Sequence, residues 1–310
     1  MTGRTQEEAP SSALLTPLEA ARLVGVSEST VRRWCDRDLV PTARTTGRHR
    51  RIHQGDLLAF ARAAGLWRHG SDPVSTSGRG GRSASAGVLA ERLQGSLEAL
   101  DLDGVQTFVR EWFTRGGEPE ALFDEVLSPA MRALGDRWEA GHLAIYQEHH
   151  ATQLVLAALS AVPPYLPTVP VGAPVAICAA LSGDPYAIAP QMSALVAQAE
   201  GYRSILLGPD TPAEEIAAAA RATGATLVCV SISVAVDVDA VRADVRRLAA
   251  AAKENAAALA IGGRAIDPSM RRELAADGVG ESMADLRAFA RERRGGRALR
   301  EERGLEERDT

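Results

Sequence analysis

Residues 14–34 read LLTPLEAARLVGVSESTVRRW, two short helical patterns across a Gly-containing turn. Thr16 is placed as an N-cap, Pro17 suits the first helical position, and Glu19 stands at capping-box spacing. Gly25-Val26-Ser27 breaks that helix, and Ser27 opens a second one from Glu28 to about Arg37. Val31 and Trp34 recur at helical spacing, which marks them as core residues. This is a helix-turn-helix pattern. Working outward, Arg44-Thr45-Thr46-Gly47-Arg48-His49-Arg50-Arg51-Ile52 reads as a β-hairpin turning near Gly47. A third helix, Asp56 to Ala64, closes a unit over residues 14–68. Residues 1–13 are expected to be disordered.

Charge separates this unit from the rest. The 310-residue chain carries a net charge of −5. Leu14 to Arg68 nevertheless holds ten Arg against five acids, Glu19, Glu28, Asp36, Asp38 and Asp56. Local cationic excess on a helix-turn-helix points to nucleic acid. The second helix presents Ser29, Thr30, Arg32 and Arg33. The hairpin presents Arg44, Arg48, Arg50 and Arg51 beside it. Clustered cations grip phosphates, and a helix in the major groove reads bases. Such a module makes few contacts alone, so two or more copies are expected on double-stranded promoter DNA.

Apolar residues make up 45% and charged residues 24%, an ordinary soluble composition. No run approaches the roughly 20 apolar residues of a membrane span. The first ten residues are polar and unlike a secretory signal, so a cytoplasmic protein is expected. Cys35, Cys178 and Cys229 form no CxxC pair or disulfide framework and are expected to be reduced.

Residues 69–86 are rich in Gly and Ser and read as a flexible linker between independently moving domains. From 87 to 165 a helical period returns, through Leu89, Leu93, Leu97, Phe108, Trp112, Leu134 and Leu154. Four helices fit, as a small bundle capping the next domain. Residues 170–294 alternate apolar strands (Val175–Leu181, Ser204–Leu207, Thr226–Val230, Ala257–Ile261) with helical stretches, the last being Met283–Arg293. That alternation implies a doubly wound parallel sheet of Rossmann-like type. Residues 295–310 are expected to be a disordered tail.

In an open parallel sheet, ligands sit beyond the carboxyl ends of the strands. Ser182–Ala189, Leu207–Pro212, Ser231-Ile232-Ser233 and Gly262-Gly263 all fall at such ends. No Walker loop, GxSxG elbow or HExxH is present, and no catalytic or metal-ligating constellation emerges. The expectation is a protein that is not an enzyme.

Residues 14 to about 65 resemble the winged helix-turn-helix of the MerR family. Residues 87 to about 290 resemble the cobalamin-binding module of methionine-synthase-like proteins. The whole chain is similar to the light-responsive, cobalamin-dependent MerR-family repressors of carotenoid genes. That resemblance implies Ser29, Thr30, Arg32 and Arg33 in the major groove, with Arg44, Arg48, His49 and Arg50 on phosphate or the minor groove. It implies that Trp138, Glu148 and His149 cover the upper face of a cofactor. It implies that Ser231, Ser233, Gly262 and Gly263 line the channel for the nucleotide tail. It also implies a transcription regulator working as a homo-oligomer, a dimer or a tetramer, with a small-molecule effector.

The family's lower axial histidine has no counterpart. Its Asp/Glu-x-His-x-x-Gly motif aligns with Asp184-Pro185-Tyr186-Ala187-Ile188-Ala189. Tyr186 takes the ligand position, and a phenol with a pKa near 10 is a poor replacement for neutral imidazole. Ala189 replaces a Gly, and Pro190 is expected to hold Ala189 away from helical angles. Glu139 stands where the family has a second His. Three readings stay open: cobalamin bound without the usual His lower ligand, another tetrapyrrole, or no ligand in a protein-interaction scaffold. A corrinoid carrier is the alternative of enzymatic type.

Overall fold

The computed structural model describes residues 14–24, 26–44, 49–64, 79–235 and 237–306. The capping box forms at the expected place: the Thr16 N–H donates to Glu19 Oε2 at 2.7 Å, and the Glu19 N–H to Thr16 Oγ1 at 3.2 Å. It starts α1, Pro17–Val24. Ser27 Oγ accepts from the Thr30 N–H at 3.2 Å and starts α2, Glu28–Asp36. Val31 is fully buried, and the Trp34 ring lies 5.0 Å from that of Phe60. Phe60 belongs to α3, Gln54–Ala63, which begins two residues before the expected Asp56. The hairpin strands are β2, Thr42–Arg44, and β3, Arg50–His53. A strand the sequence did not announce, β1 at Leu14–Leu15, pairs with β3, so the small sheet has the order β1-β3-β2.

Residues 1–13, the end of the winged unit (65–68) and the linker's first part, 69–78, lie outside the described residues. The linker does not extend to 86: α4 runs Arg79–Glu98. Residues 79–86 carry no apolar period in sequence, so periodicity offered no sign of this helix. Next come α5, Leu102–Thr114, then α6, Pro119–Leu122, a π-helical turn at Phe123–Leu127, and α7, Ser128–Glu139. The last bundle helix is α8, Ile145–Ser160. Leu93, Leu97, Phe108, Phe113, Phe123, Leu134 and Leu159 fill their common core.

The second layer is a five-stranded parallel sheet ordered β5-β4-β6-β7-β8. Its strands are β4, Val175–Leu181; β5, Arg203–Thr211; β6, Leu227–Ser231; β7, Ala258–Gly262; and β8, Gly278–Gly280. β8 was not anticipated, since Gly-Val-Gly offers no apolar run. β5 runs four residues beyond Leu207 as an irregular edge strand. Edge positions accept Pro209, because no inner-ladder donor is lost there. On β4, Val175, Ile177, Ala179 and Leu181 pack with α10, Ala213–Thr223, and α11, Val238–Glu254. Ala176 and Cys178 face the other way, toward α9, Ile188–Ala199, and α13, Met283–Glu306. A short helix, α12, covers Pro268–Glu273.

Two expectations about helix ends are corrected. Residues 295–306 continue α13 rather than forming a tail; their Arg, Glu and Leu residues favour helix, although Gly295, Gly296 and Gly304 do not. Ala189 lies inside α9 despite Pro190. In a first turn the missing proline N–H would have no intrahelical partner in any case.

The bundle and the sheet layer share one core, since Met192, Leu195 and Val196 of α9 belong to the bundle cluster. Asp124, in the π turn, caps α13 from outside: its Oδ1 accepts the Met283 N–H and its Oδ2 the Ala284 N–H, each at 2.9 Å. Burial raises the Asp124 pKa more than these two bonds lower it. Arg287 of α13 pairs with Glu118 and Glu120 beside α6 and with Glu200 after α9. Cys35, Cys178 and Cys229 are all free and buried.

Candidate nucleic-acid interface and ligand site

The N-terminal end of α2 gathers three hydroxyls. Ser27 Oγ lies 2.9 Å from Ser29 Oγ and 2.8 Å from Thr30 Oγ1. Arg33, Arg44, His49 and Ser29 are exposed on α2 and on the wing formed by β2 and β3. Between helix and wing lies a groove of about 510 Å³, lined by Arg32, Asp36, Arg44, His49, Arg50 and Arg51 among others. Arg48 lies outside the described residues.

Not all of these cations are free. Arg32 pairs with Glu28 at 2.6 Å, one turn away. Arg50 crosses from the wing to α2, where NH2 meets Asp36 Oδ1 at 2.7 Å and NH1 reaches the Arg32 carbonyl at 3.4 Å. Arg50 therefore struts the wing against α2, a role the sequence reading missed. Arg51 turns back to the Arg50 carbonyl at 3.4 Å.

The second site forms where three strand ends meet. Asp184, after β4, is fully buried. Its Oδ1 accepts the Tyr186 N–H at 3.0 Å, and its Oδ2 accepts the Ser233 N–H at 2.5 Å. The Ser233 carbonyl accepts from Arg264 Nε at 3.1 Å. The Arg264 guanidinium lies over the Tyr186 ring, 5.0 Å from its centroid. These four residues close a ring across the ends of β4, β6 and β7. Asp210 adds the edge strand: its Oδ1 accepts the Gly183 N–H at 2.8 Å, and its own N–H donates to the Asp184 carbonyl at 2.9 Å. The position is the topological switch point, where β4 neighbours both β5 and β6. The sequence reading missed Arg264, although it directly follows the flagged Gly262-Gly263.

Gly263 has φ +127°, and a Cβ there would stand 2.2 Å from the Ile232 carbonyl oxygen. That oxygen already accepts the Ala265 N–H at 3.1 Å, so neither partner has room to retreat. Gly263→Ala is expected to cost about 2–3 kcal/mol, from strained backbone plus displacement of the β6 end. Denaturant titration measures it; an unchanged midpoint contradicts the packing described. Gly262 is less tight, with a Cβ placed 3.3 Å from the Gly280 oxygen. Ser231 is buried, and its Oγ reaches the Ala179 carbonyl at 3.5 Å.

Trp138 is 44% exposed at the end of α7. His149 lies at the start of α8, its Nε2 3.6 Å from Glu148 Oε2. The latter residue also accepts from Thr152 Oγ1 at 3.4 Å. Among the described residues, Trp138, Glu148 and His149 make no hydrogen bond or ion pair to the strand-end ring. The structure thus brings Asp184, Tyr186 and Ser233 together and leaves the three bundle residues as a separate, partly open group. No group of three His, Cys, Asp or Glu able to hold a metal occurs among the described residues.

Comparison with known proteins agrees with this layout. A family described as a helix-turn-helix domain matches residues 14–65, and two described as B12 binding domains match 89–162 and 174–288. The HTH-type transcriptional repressor CarA of Myxococcus xanthus is 30% identical over 201 residues, which cover 62% of this chain and 67% of CarA. The chain belongs to the CarA/CarH family of HTH-type transcriptional repressors. CarH from the same organism is 34% identical over 105 residues, and the match spans about a third of each protein, 34%. The monomethylamine corrinoid protein of Methanosarcina barkeri superposes with a TM-score of 0.56 at 20% identity, over 66% of this chain and 98% of that one. That likeness concerns the fold of the bundle and sheet.

Against the B12 group itself, this CarA/CarH-family chain presents a mixed fit. The glycine pair at the end of β7 is packed against protein backbone, Gly263 on Ile232 and Gly262 on Gly280, and Ser231 and Ser233 lie on and just after the neighbouring β6. Below, Tyr186 offers no nitrogen, and Asp184 has both oxygens engaged by backbone N–H groups rather than holding an imidazole. The lower ligand position does not supply cobalt with a histidine.

Proposed function

We propose that the protein binds double-stranded promoter DNA through α2 and the β2–β3 wing, as a homo-oligomer, and regulates transcription. The observation that carries this is the exposed cationic groove between helix and wing, set on a chain of CarA/CarH type. The sheet and bundle serve as the effector module. Gly262, Gly263, Ser231 and Ser233 would hold a corrinoid tail, and Trp138, Glu148 and His149 would cover its upper side. When bound, such a group supplies a light-cleavable cobalt–carbon bond. The chain's own part is to orient and enclose it: Asp184 fixes the β4 and β6 loops, and Tyr186 floors the site without donating a nitrogen. The light response is accordingly lost. Among the described residues no helix is long and apolar enough to cross a membrane.

The Arg264–Tyr186 stack favours a second reading, a closed brace in a module that only assembles copies. One experiment separates the two. The purified chain is incubated in the dark with adenosylcobalamin, desalted, and its visible spectrum recorded. Retained corrin bands support the effector reading; a colourless protein supports the assembly module. A corrinoid carrier would instead keep the bands and show no affinity for duplex DNA.

A further inference from the structure

The winged unit is seated on the remainder of the chain through α3. Asp56, in the first turn of α3, is only 8% exposed. Its Oδ1 accepts the Thr168 N–H at 2.7 Å, and its Oδ2 accepts the Thr168 hydroxyl at 2.9 Å. The two residues are 112 positions apart. Beside Asp56, a Cβ on Gly55 would stand 1.9 Å from the Leu166 carbonyl oxygen. The helix therefore lies directly on the backbone that leaves α8. That backbone is itself anchored, because Leu166 is 3% exposed and belongs to the bundle core.

Next to the seat is a cavity of about 350 Å³. Ala59 of α3 forms one wall, and Phe113, Tyr165, Ala199 and Arg291 form others. The junction thus includes a carboxylate clamp and a close glycine approach beside a hollow. A carboxylate taking two hydrogen bonds in a buried site holds a defined direction. The intervening chain keeps the two parts at high local concentration, so a small seat suffices. Arg33, Arg44 and Ser29 remain exposed in the seated arrangement.

We propose that Asp56 and Gly55 are positioning residues for DNA recognition. They lock the winged unit onto residues 166–168 in one orientation. The core, not the connecting chain, then sets the separation of recognition helices when copies assemble on DNA. The second half of this proposal rests on the DNA reading above; the seat itself does not.

Gly55→Ala tests it, with Asp56→Ala as the partner variant. Alanine is the better helix former by about 1 kcal/mol, so the first change favours α3 itself while colliding with Leu166. Hydrogen exchange is followed in the full chain, on the peptide carrying Thr168 and on that carrying α2. The expected result is exchange at Thr168 faster by about ten-fold or more in both variants, with α2 unchanged in Gly55→Ala. Equal exchange at Thr168 in wild type and Gly55→Ala overturns the seat. Full-length wild type and Gly55→Ala are then each used to select from random-sequence duplexes. Wild type is expected to enrich paired half-sites at one spacing, and the variant at a broadened set. Identical spacing distributions, or unpaired half-sites from wild type, overturn the positioning role. Failure of wild type to enrich any duplex overturns the DNA reading and the positioning role, and leaves the seat standing on the exchange result.

Discussion

Arg287→Ala is expected to destabilise the joined bundle and sheet by about 3–5 kcal/mol, the range for breaking a buried ion pair from one side. Arg287 is 17% exposed, and its partners Glu118, Glu120 and Glu200 come from two layers of the fold. Removing the guanidinium leaves Glu200, 9% exposed, with only Arg291. Because the layers share one core, a drop in melting temperature on the order of 10 °C follows for a unit of this size. Arg287→Lys should fall between the two, since an ammonium meets three carboxylates without the planar fork.

The pH dependence has a definite sign. Burial pushes the Glu200 carboxyl up, but hydrogen bonds from Arg291 and Arg287 outweigh it, so its pKa lies below the ordinary 4.5. A carboxylate depressed in the folded state contributes stability above its unfolded pKa and loses it as pH falls through the folded one. The melting difference between wild type and Arg287→Ala should be full at neutral pH and shrink below about pH 4.5. A difference independent of pH contradicts the assigned pairing.

The DNA-binding series should show two kinds of arginine. Arg33→Ala and Arg44→Ala are each expected to weaken duplex binding by about ten-fold and to make the salt slope shallower by about 0.9 for each phosphate left without its cation. Arg50→Ala should cost more, because it also leaves the Asp36 carboxylate facing the groove. Asp36→Asn removes that charge and frees Arg50, so it should raise affinity by about five-fold, or about 1 kcal/mol. The exposed Arg50–Asp36 pair contributes little to stability, and melting should barely respond. Gel shifts over a range of salt concentrations measure the series. Equal losses for Arg33→Ala and Arg50→Ala, with Asp36→Asn neutral, contradict the strut.

Much of the fold is local and therefore legible in sequence. The Thr16–Glu19 box, the Ser27 cap and the apolar runs of β4 and β7 each announce themselves within a few residues. What stayed hidden depends on distant partners or on missing apolar signals. β8 is a Gly-Val-Gly edge held by pairing with β7 and by packing on α13, partners distant in sequence. The first turns of α4 show no apolar period in sequence, and the final turns of α13 mix charged residues with three glycines. In the strand-end cluster, Asp184 and Tyr186 stood out by comparison with a motif, whereas Arg264 became visible only when β7 was set beside β6. The Asp56–Thr168 clamp spans 112 residues, and no spacing rule reaches that far.

The most direct test of a DNA-binding regulator without a histidine-based light switch is a gel shift. The full chain, loaded with adenosylcobalamin, is mixed with the promoter fragment upstream of its own coding sequence, in the dark and after illumination. A salt-sensitive complex of equal strength in both lanes is predicted. No complex in either lane, or lanes that differ, would contradict it.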